Sequence, residues 1–453
     1  MMPDFIVNTV RALNAFIWGA PAIIAIIGVG AFLTVSTRFI QVRKFGTMLR
    51  EIFGKAIARK ESAEGSIHPF HAACTALAGT VGTGNIAGVA GAIALGGPGA
   101  IFWMWVSALL GMATKFFEGT IALMYKGRDE EGEVQGGPMY VLTEGISPKL
   151  KPLAQFFSIV GMIGCLVVMQ ANQLAESVTE VFLVPLGFTD CFSVRLVLGI
   201  VVGALVSIVV LGGIKRISNI ATKIVPAMVA MYFVMVLAII IVYFDRLPGV
   251  FMDIINGAFN FKAGLGAMMG VALTGARRAM YVNEAGVGTA SLMHGASRNT
   301  EPVREGLVAM IGPSIDSGLV CTLSAIPILM AGNYHVEGVK GLTIALGAYD
   351  ILIPSVGRYL LMLMVLIFAF STMFSYSYYG TKCAAYLFGK KNAKYYSYFY
   401  IFMIVVASII SLDVAVSLMD AAFALMAIPT MFALLRLAPR AKKEMKRYFA
   451  ENR

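Results

Sequence analysis

Apolar stretches long enough to cross a bilayer, which takes about 20 residues, follow one another along this chain. Charged residues gather in the short segments between them. The pattern predicts eleven spans, at roughly 15–36, 69–93, 99–125, 153–183, 194–213, 218–244, 264–290, 303–331, 357–386, 395–411 and 414–436. In lipid a spanning segment must satisfy its own backbone hydrogen bonds, so apolar runs of this length are read as helices. The fold class expected is therefore an all-α polytopic membrane protein. One span is anomalous. The run "ACTALAGTVGTGNIAGVAGAIALGG" has glycine, threonine and asparagine at its middle, although glycine costs about 1 kcal/mol against alanine inside a helix.

Composition sharpens the class. Hydrophobic residues make up 58% of the 453 residues and charged residues 13%, about half the charged share of a soluble domain. The five cysteines are scattered, mostly within apolar runs, and give neither a disulfide framework nor zinc spacing. The first apolar run has no small-residue cleavage site after it and is expected to be a retained span, not a signal peptide. The net charge of +11 sits beside spans: seven basic residues lie between Arg38 and Lys60, and seven more between Arg436 and Arg453. Such clusters mark cytoplasmic segments and argue against a nucleic-acid partner. With the 38–60 loop inside, the N-terminus is expected outside and the C-terminus in the cytoplasm. The segments near 184–193, 245–262 and 332–356, which carry few basic residues, then fall outside.

Beyond the first span, ten divide into two sets of five, and an odd number per set gives the second set the opposite orientation. The expected organisation is one transporter domain over 1–453. It comprises an extra helix at 15–36, repeats at 69–244 and 264–436, and a basic cytoplasmic tail at 437–453. Each repeat opens with a glycine- and threonine-interrupted helix, "LAGTVGTGNIAGVAG" and "MGVALTGARRAMYVNEAGVGTA". Paired interruptions of this kind point to the midplane site of a secondary transporter. At such a break, half-helix N-termini offer amide N–H groups to a carboxylate, and freed carbonyls can cage a cation. The competing account is close helix packing through small residues.

Other polar positions supply partners. Gln170, in "VVMQANQLAES", can accept from an ammonium group or make a contact between helices, and both readings stand. "FAFSTMFSYSYYG" puts Ser371 and Thr372 at mid-depth. Asp316, in "GPSIDSGLV", is an intramembrane acid and so a candidate for a second cation or a proton, or for a bond to Ser314. Arg277 and Arg278 either snorkel to headgroups or pair with Glu284 or Glu118. Lys115 and Glu118, three apart, form an expected structural pair. The Trp103-Met104-Trp105 element is expected to pack and anchor.

These residues resemble a known family. "GGPGAIFWMWVSALLG" (96–111) fits the signature of the alanine or glycine:cation symporters, the sodium:alanine symporters, and "GTVGTGNIAGVA" and "NEAGVGTA" (283–290) look like further segments of that family. The resemblance implies a LeuT-type fold of the amino acid–polyamine–organocation superfamily, with a 5+5 inverted repeat and two broken helices. It implies Na⁺-coupled uptake of alanine and glycine, with Na⁺ as a co-transported ion and not a prosthetic group. By alignment, the carbonyls of Ala78, Val81 and Phe368 and the hydroxyls of Ser371 and Thr372 hold Na⁺. Gly79, Thr80, Gly82, Thr83, Gly84 and Asn85 then hold the substrate carboxylate, and Gln170 lies near its ammonium. A second break at Leu273-Thr274-Gly275-Ala276 closes the pocket.

The expected function is secondary active symport at the cell membrane by alternating access. The runner-up is a proton-coupled carrier using Asp316. A channel lacks a ring of charge, and no nucleophile–base pair or cofactor motif suggests an enzyme. The expected partners are small neutral amino acids and the lipid bilayer, with no obligate protein partner evident.

Overall fold

The computed structural model describes residues 20–52, 67–260, 264–335 and 341–451, and nearly all of them are helical. The N-terminal helix α1 (Ala20–Ser36) is followed by α2 (Pro69–Thr80) and α3 (Gly84–Gly96), which together form one span bent by 51°. Next come α4 (Gly99–Met124), α5 (Lys151–Gly164), α6 (Val168–Val178), α7 (Phe192–Val210), α8 (Gly213–Val242) and the short α9 (Leu247–Ala258). The rest of the chain forms α10 (Leu265–Asn283), α11 (Thr289–His294), α12 (Pro302–Ala331), α13 (Leu342–Leu352), α14 (Gly357–Phe388), α15 (Lys390–Ile409) and α16 (Leu412–Glu451).

Among the described residues, seven helices are long and apolar enough to cross a membrane, and the bent α2–α3 pair makes an eighth span. That is fewer than the eleven expected from sequence. Two of the expected spans fall short for visible reasons: α10 carries Arg277 and Arg278, and α15 opens on Lys390, Lys391 and Lys394 with a run of tyrosines. The first five residues of the 15–36 span lie outside the described residues. The expected 332–356 loop contains a helix, α13.

Helix α4 runs through the centre and packs against α1, α9, α10 and the start of α12. Small residues permit this approach. A Cβ on Gly119 would lie 2.8 Å from that of Ala309 on α12, and one on Gly306 would collide with Thr120. Helix α5 packs on α14 and α16, α7 on α15, and α8 on α2 and α14. The Trp103-Met104-Trp105 element does pack: Phe102 and Trp103 meet Phe259, Trp105 meets Phe251 of α9, and Trp105 Nε1 donates to Thr322 Oγ1 at 2.7 Å.

The connection from α4 to α5 holds a two-stranded antiparallel hairpin, β1 (Gly127–Arg128) and β2 (Val134–Gln135). Lys390 at the start of α15 clamps it, 2.7 Å from Glu131 and 2.8 Å from Glu133. Those two carboxylates hold the Lys390 ammonium above its ordinary lysine range. The basic tail is no loose extension. Helix α16 continues to Glu451; Arg440 donates to Gly145 O at 2.8 Å, and Arg447 pairs with Glu301 at 2.8 Å.

Candidate functional site at the broken helix

Pro69 at the first position and a His68 cap start α2, and the helix stops at Val81, whose backbone is extended (φ −83°, ψ 91°). In an unbroken helix the Gly82 amide would bond the Ala78 carbonyl and the Asn85 amide the Val81 carbonyl. Here Gly82 N–H donates to Asn85 Oδ1 at 2.9 Å, and Asn85 N–H donates to Gly82 O at 3.0 Å. The Ala78 and Val81 carbonyls thus lose their helical donors in a fully buried setting. Asn85 caps the break from within and also donates to the backbone carbonyl of Asp316 at 3.2 Å, fixing the break to α12. Thr83 is buried, and its Oγ1 has no partner among the described residues. A buried polar group left this way costs about 1–3 kcal/mol, so carbonyls and a hydroxyl together make a place where a ligand is stabilising.

Three glycines in the break each face another helix closely. A Cβ on Gly82 would lie 2.5 Å from Thr372 Oγ1, one on Gly79 would lie 3.0 Å from the Tyr379 hydroxyl, and one on Gly84 would lie 3.3 Å from the Tyr281 ring. The structure therefore brings Thr372 of α14 directly onto the break. Thr372 and Ser371 both donate to Phe368 O, at 3.0 and 2.9 Å, which leaves their oxygens able to accept or to ligate a cation. Ser371 lies one position round the helix, with Met228 Sδ of α8 at 3.7 Å. Thr80 Oγ1 turns back toward Leu77 O at 3.5 Å.

Gln170 lies on α6, is 5% exposed, and its Oε1 has no partner among the described residues. Sequence reading treated 153–183 as one span. It is interrupted at Cys165–Val167, where Val167 takes a left-handed backbone (φ 47°), a strained state for a β-branched residue. Tyr281 joins this segment to the break: its ring lies against Gly84 and its hydroxyl donates to Met169, the neighbour of Gln170, at 2.7 Å. Tyr281, Tyr376 and Tyr379 were not singled out from sequence, because tyrosines in apolar runs give no signal of their own.

The second interruption is not at Leu273-Thr274-Gly275-Ala276. Helix α10 continues unbroken through those residues to Asn283. Thr274 Oγ1 bonds its own helix at Gly270 O (2.8 Å), and a Cβ on Gly275 would collide with the Ala100 carbonyl of α4. Close packing, the competing account, holds there. The interruption falls at Glu284–Gly288, where Glu284 (φ 51°), Gly286 (φ 88°) and Gly288 (φ 100°) are left-handed before α11 begins. Unlike the first break, this one is closed by side chains from four helices. Gly286 N–H donates to Glu118 Oε1 of α4, Tyr376 of α14 and Thr289 donate to the Glu284 carboxylate, and Thr430 of α16 donates to Val287 O at 3.1 Å. The signal available in sequence was a buried glutamate followed by Gly-Val-Gly in "NEAGVGTA".

Asp316 is fully buried in a widened turn of α12, Ser314–Val320. Its Oδ1 accepts Ser317 N–H, and its Oδ2 has no partner among the described residues. The alternative of a bond to Ser314 is not taken up, since Ser314 Oγ donates to Ile311 O at 2.7 Å. The expected Lys115–Glu118 pair does not close: Glu118 Oε1 accepts Gly286 N–H of the second interruption, and its Oε2 has no partner among the described residues, while Lys115 is buried at 4% exposure. Arg277 does not pair with Glu284 or Glu118; it meets Asp420 of α16 at 2.6 Å.

With this geometry in hand, comparison with known proteins is specific. The profile of the sodium:alanine symporter family matches residues 3–453. A protein of Methanococcus maripaludis described as sodium/alanine symporter AgcS is 36% identical over 98% of this chain and 97% of its own length. A Bacillus subtilis protein described as a probable sodium/glutamine symporter, GlnT, is 31% identical over 99% of this chain and 91% of its own. Another from Bacillus subtilis, described as a putative sodium/proton-dependent alanine carrier protein, YrbD, is 35% identical over 87% of this chain and 81% of its own.

Proposed function

The chain belongs to the sodium:alanine symporter family, and on that premise we propose that the α2–α3 break is a shared site for Na⁺ and a small neutral amino acid, alanine or glycine. The observation that carries the reading is the diversion of the Gly82 and Asn85 amides, which frees the Ala78 and Val81 carbonyls beside the Thr372 hydroxyl. Those carbonyls, with Phe368 O, Ser371 and Thr372, are the proposed Na⁺ ligands. The segment from Gly79 to Asn85 faces the substrate carboxylate, and Gln170, whose carbonyl oxygen lacks a partner, takes the ammonium. Leu273 to Ala276 contribute no break: Thr274 and Gly275 pack against Gly96, Ala100 and Trp103, and it is Tyr281, further along α10, that meets the site.

The wider reading is eleven spans, with one helix ahead of a LeuT-type 5+5 inverted repeat, the N-terminus outside and the C-terminus cytoplasmic. It is supported by pairing: α4 packs on α12, α5 on α14 and α7 on α15, three helices each against its counterpart, an arrangement compatible with a two-fold axis in the membrane plane. Sodium binds first and orders the break, the zwitterion follows, and one bundle rocks against the other.

A second reading is favoured by the unpartnered Asp316 Oδ2: the acid carries a proton or a second cation. Uptake of labelled alanine into liposomes separates the two. Under an inward Na⁺ gradient at equal pH, uptake above the K⁺ control is expected. Uptake that follows a pH gradient without Na⁺ would replace sodium coupling with proton coupling at Asp316.

A further inference from the structure

Where α1 ends and the last turns of α16 pass, the chain builds a concave site that shares no residue with the proposed transport site. A cavity of about 670 Å³ opens there, lined by Arg38, Arg43, Lys44, Lys442, Lys446 and Phe449 among others, none of them acidic. Arg38 and Phe39 are both left-handed (φ 53° and 55°), which turns the 38–44 segment to face α16. Arg43 donates to the Arg38 carbonyl at 3.3 Å, and the Lys44 ammonium stands 4.3 Å from the centre of the Phe449 ring. The neighbouring acids are held elsewhere: Glu444 and Glu451 each meet Arg447 at 2.6 Å, and Glu51 meets Arg304 at 3.4 Å. Among the described residues, no carboxylate lies within ion-pair distance of the five cations.

Five like charges converging with no counter-ion among the described residues repel one another, and a bound anion relieves that repulsion. The position selects which anion. Helix α1 carries no charge, and Phe32, Val35 and Phe39 beside the cavity are about half exposed or more, at 54%, 64% and 49%. Basic pockets at the end of membrane helices suit phospholipid headgroups, and an apolar flank suits acyl chains.

We infer that this cavity is a binding site for an anionic phospholipid, with the phosphate among Arg43, Lys442 and Lys446 and the acyl chains along the exposed face of α1. A basic side chain near an anionic headgroup contributes about a factor of five in affinity, so three neutralised charges remove on the order of a hundredfold.

The test is lipid binding to the full-length purified protein by native mass spectrometry, titrated with phosphatidylglycerol and with phosphatidylcholine. Phosphatidylglycerol is expected to bind at least about tenfold more tightly, and the variant R43Q/K442Q/K446Q to lose that preference. K149Q/K391Q/K394Q, which removes three basic residues elsewhere, is expected to keep it. Equal loss in both variants would mean bulk charge and overturn the site. Displacement of phosphatidylglycerol by millimolar inorganic phosphate would make it a free-phosphate site and overturn the lipid assignment. In wild-type protein, amide exchange over 38–46 and 440–450 is expected to slow in phosphatidylglycerol relative to phosphatidylcholine. Unchanged exchange would also count against the site, whatever the variants' folding.

Discussion

At the scale of single residues, the account turns on which polar groups are satisfied. Asn85 takes the Gly82 amide and so keeps the backbone of the break ordered while releasing two carbonyls. Thr372 stands where a Gly82 side chain would be, and its hydroxyl already donates to Phe368 O, so its lone pairs are what it offers the break. Removing one oxygen ligand from a cation costs about 1.5–3 kcal/mol, roughly tenfold or more in affinity. Thr372→Ala is therefore expected to raise the Na⁺ half-saturation for alanine binding about tenfold or more. Its thermal stability should change little, because the lost hydrogen bond is one within its own helix. An unchanged half-saturation would remove Thr372 from the cation site.

At the scale of elements, the two interruptions divide the work. The first leaves groups free, and the second is closed by Glu118, Tyr376, Thr289 and Thr430. Tyr376→Phe strips a donor from the buried Glu284 carboxylate and is expected to cost about 1–3 kcal/mol of stability. A melting scan should show this while Na⁺ half-saturation stays near wild type. A large change in Na⁺ dependence with no loss of stability would instead put the second break in the ligand site. How much of this was legible follows from the same contrast. The first break could be read because Gly-Thr-Gly-Asn gathers glycines and polar side chains at the middle of an apolar run, which weakens the helix there whatever packing its glycines also serve. The second was misplaced because Gly275 serves close packing on α4, which sequence cannot distinguish from a break. Its true position depends on Glu284 holding a left-handed backbone with hydroxyl donors supplied by α14 and α16, contacts far away in the chain. The interruption at Val167 gave no sign, since a valine is among the last residues expected to adopt φ 47°.

At the scale of the whole molecule, the proposed sharing of the break by cation and amino acid would make their binding interdependent. Coupling is reciprocal: any factor by which Na⁺ tightens alanine is the factor by which alanine tightens Na⁺. The first break is held against three helices, by Asn85 to α12, Thr372 of α14 and Tyr281 of α10. Rearrangement of these helices therefore reaches the site directly. The measurement that tests the central claim most directly is alanine binding to the purified protein, titrated in Na⁺ and again in K⁺. Binding that tightens with Na⁺ and is absent or weak in K⁺ is the predicted result. Equal binding in the two salts would contradict a shared cage at the Gly79–Asn85 break.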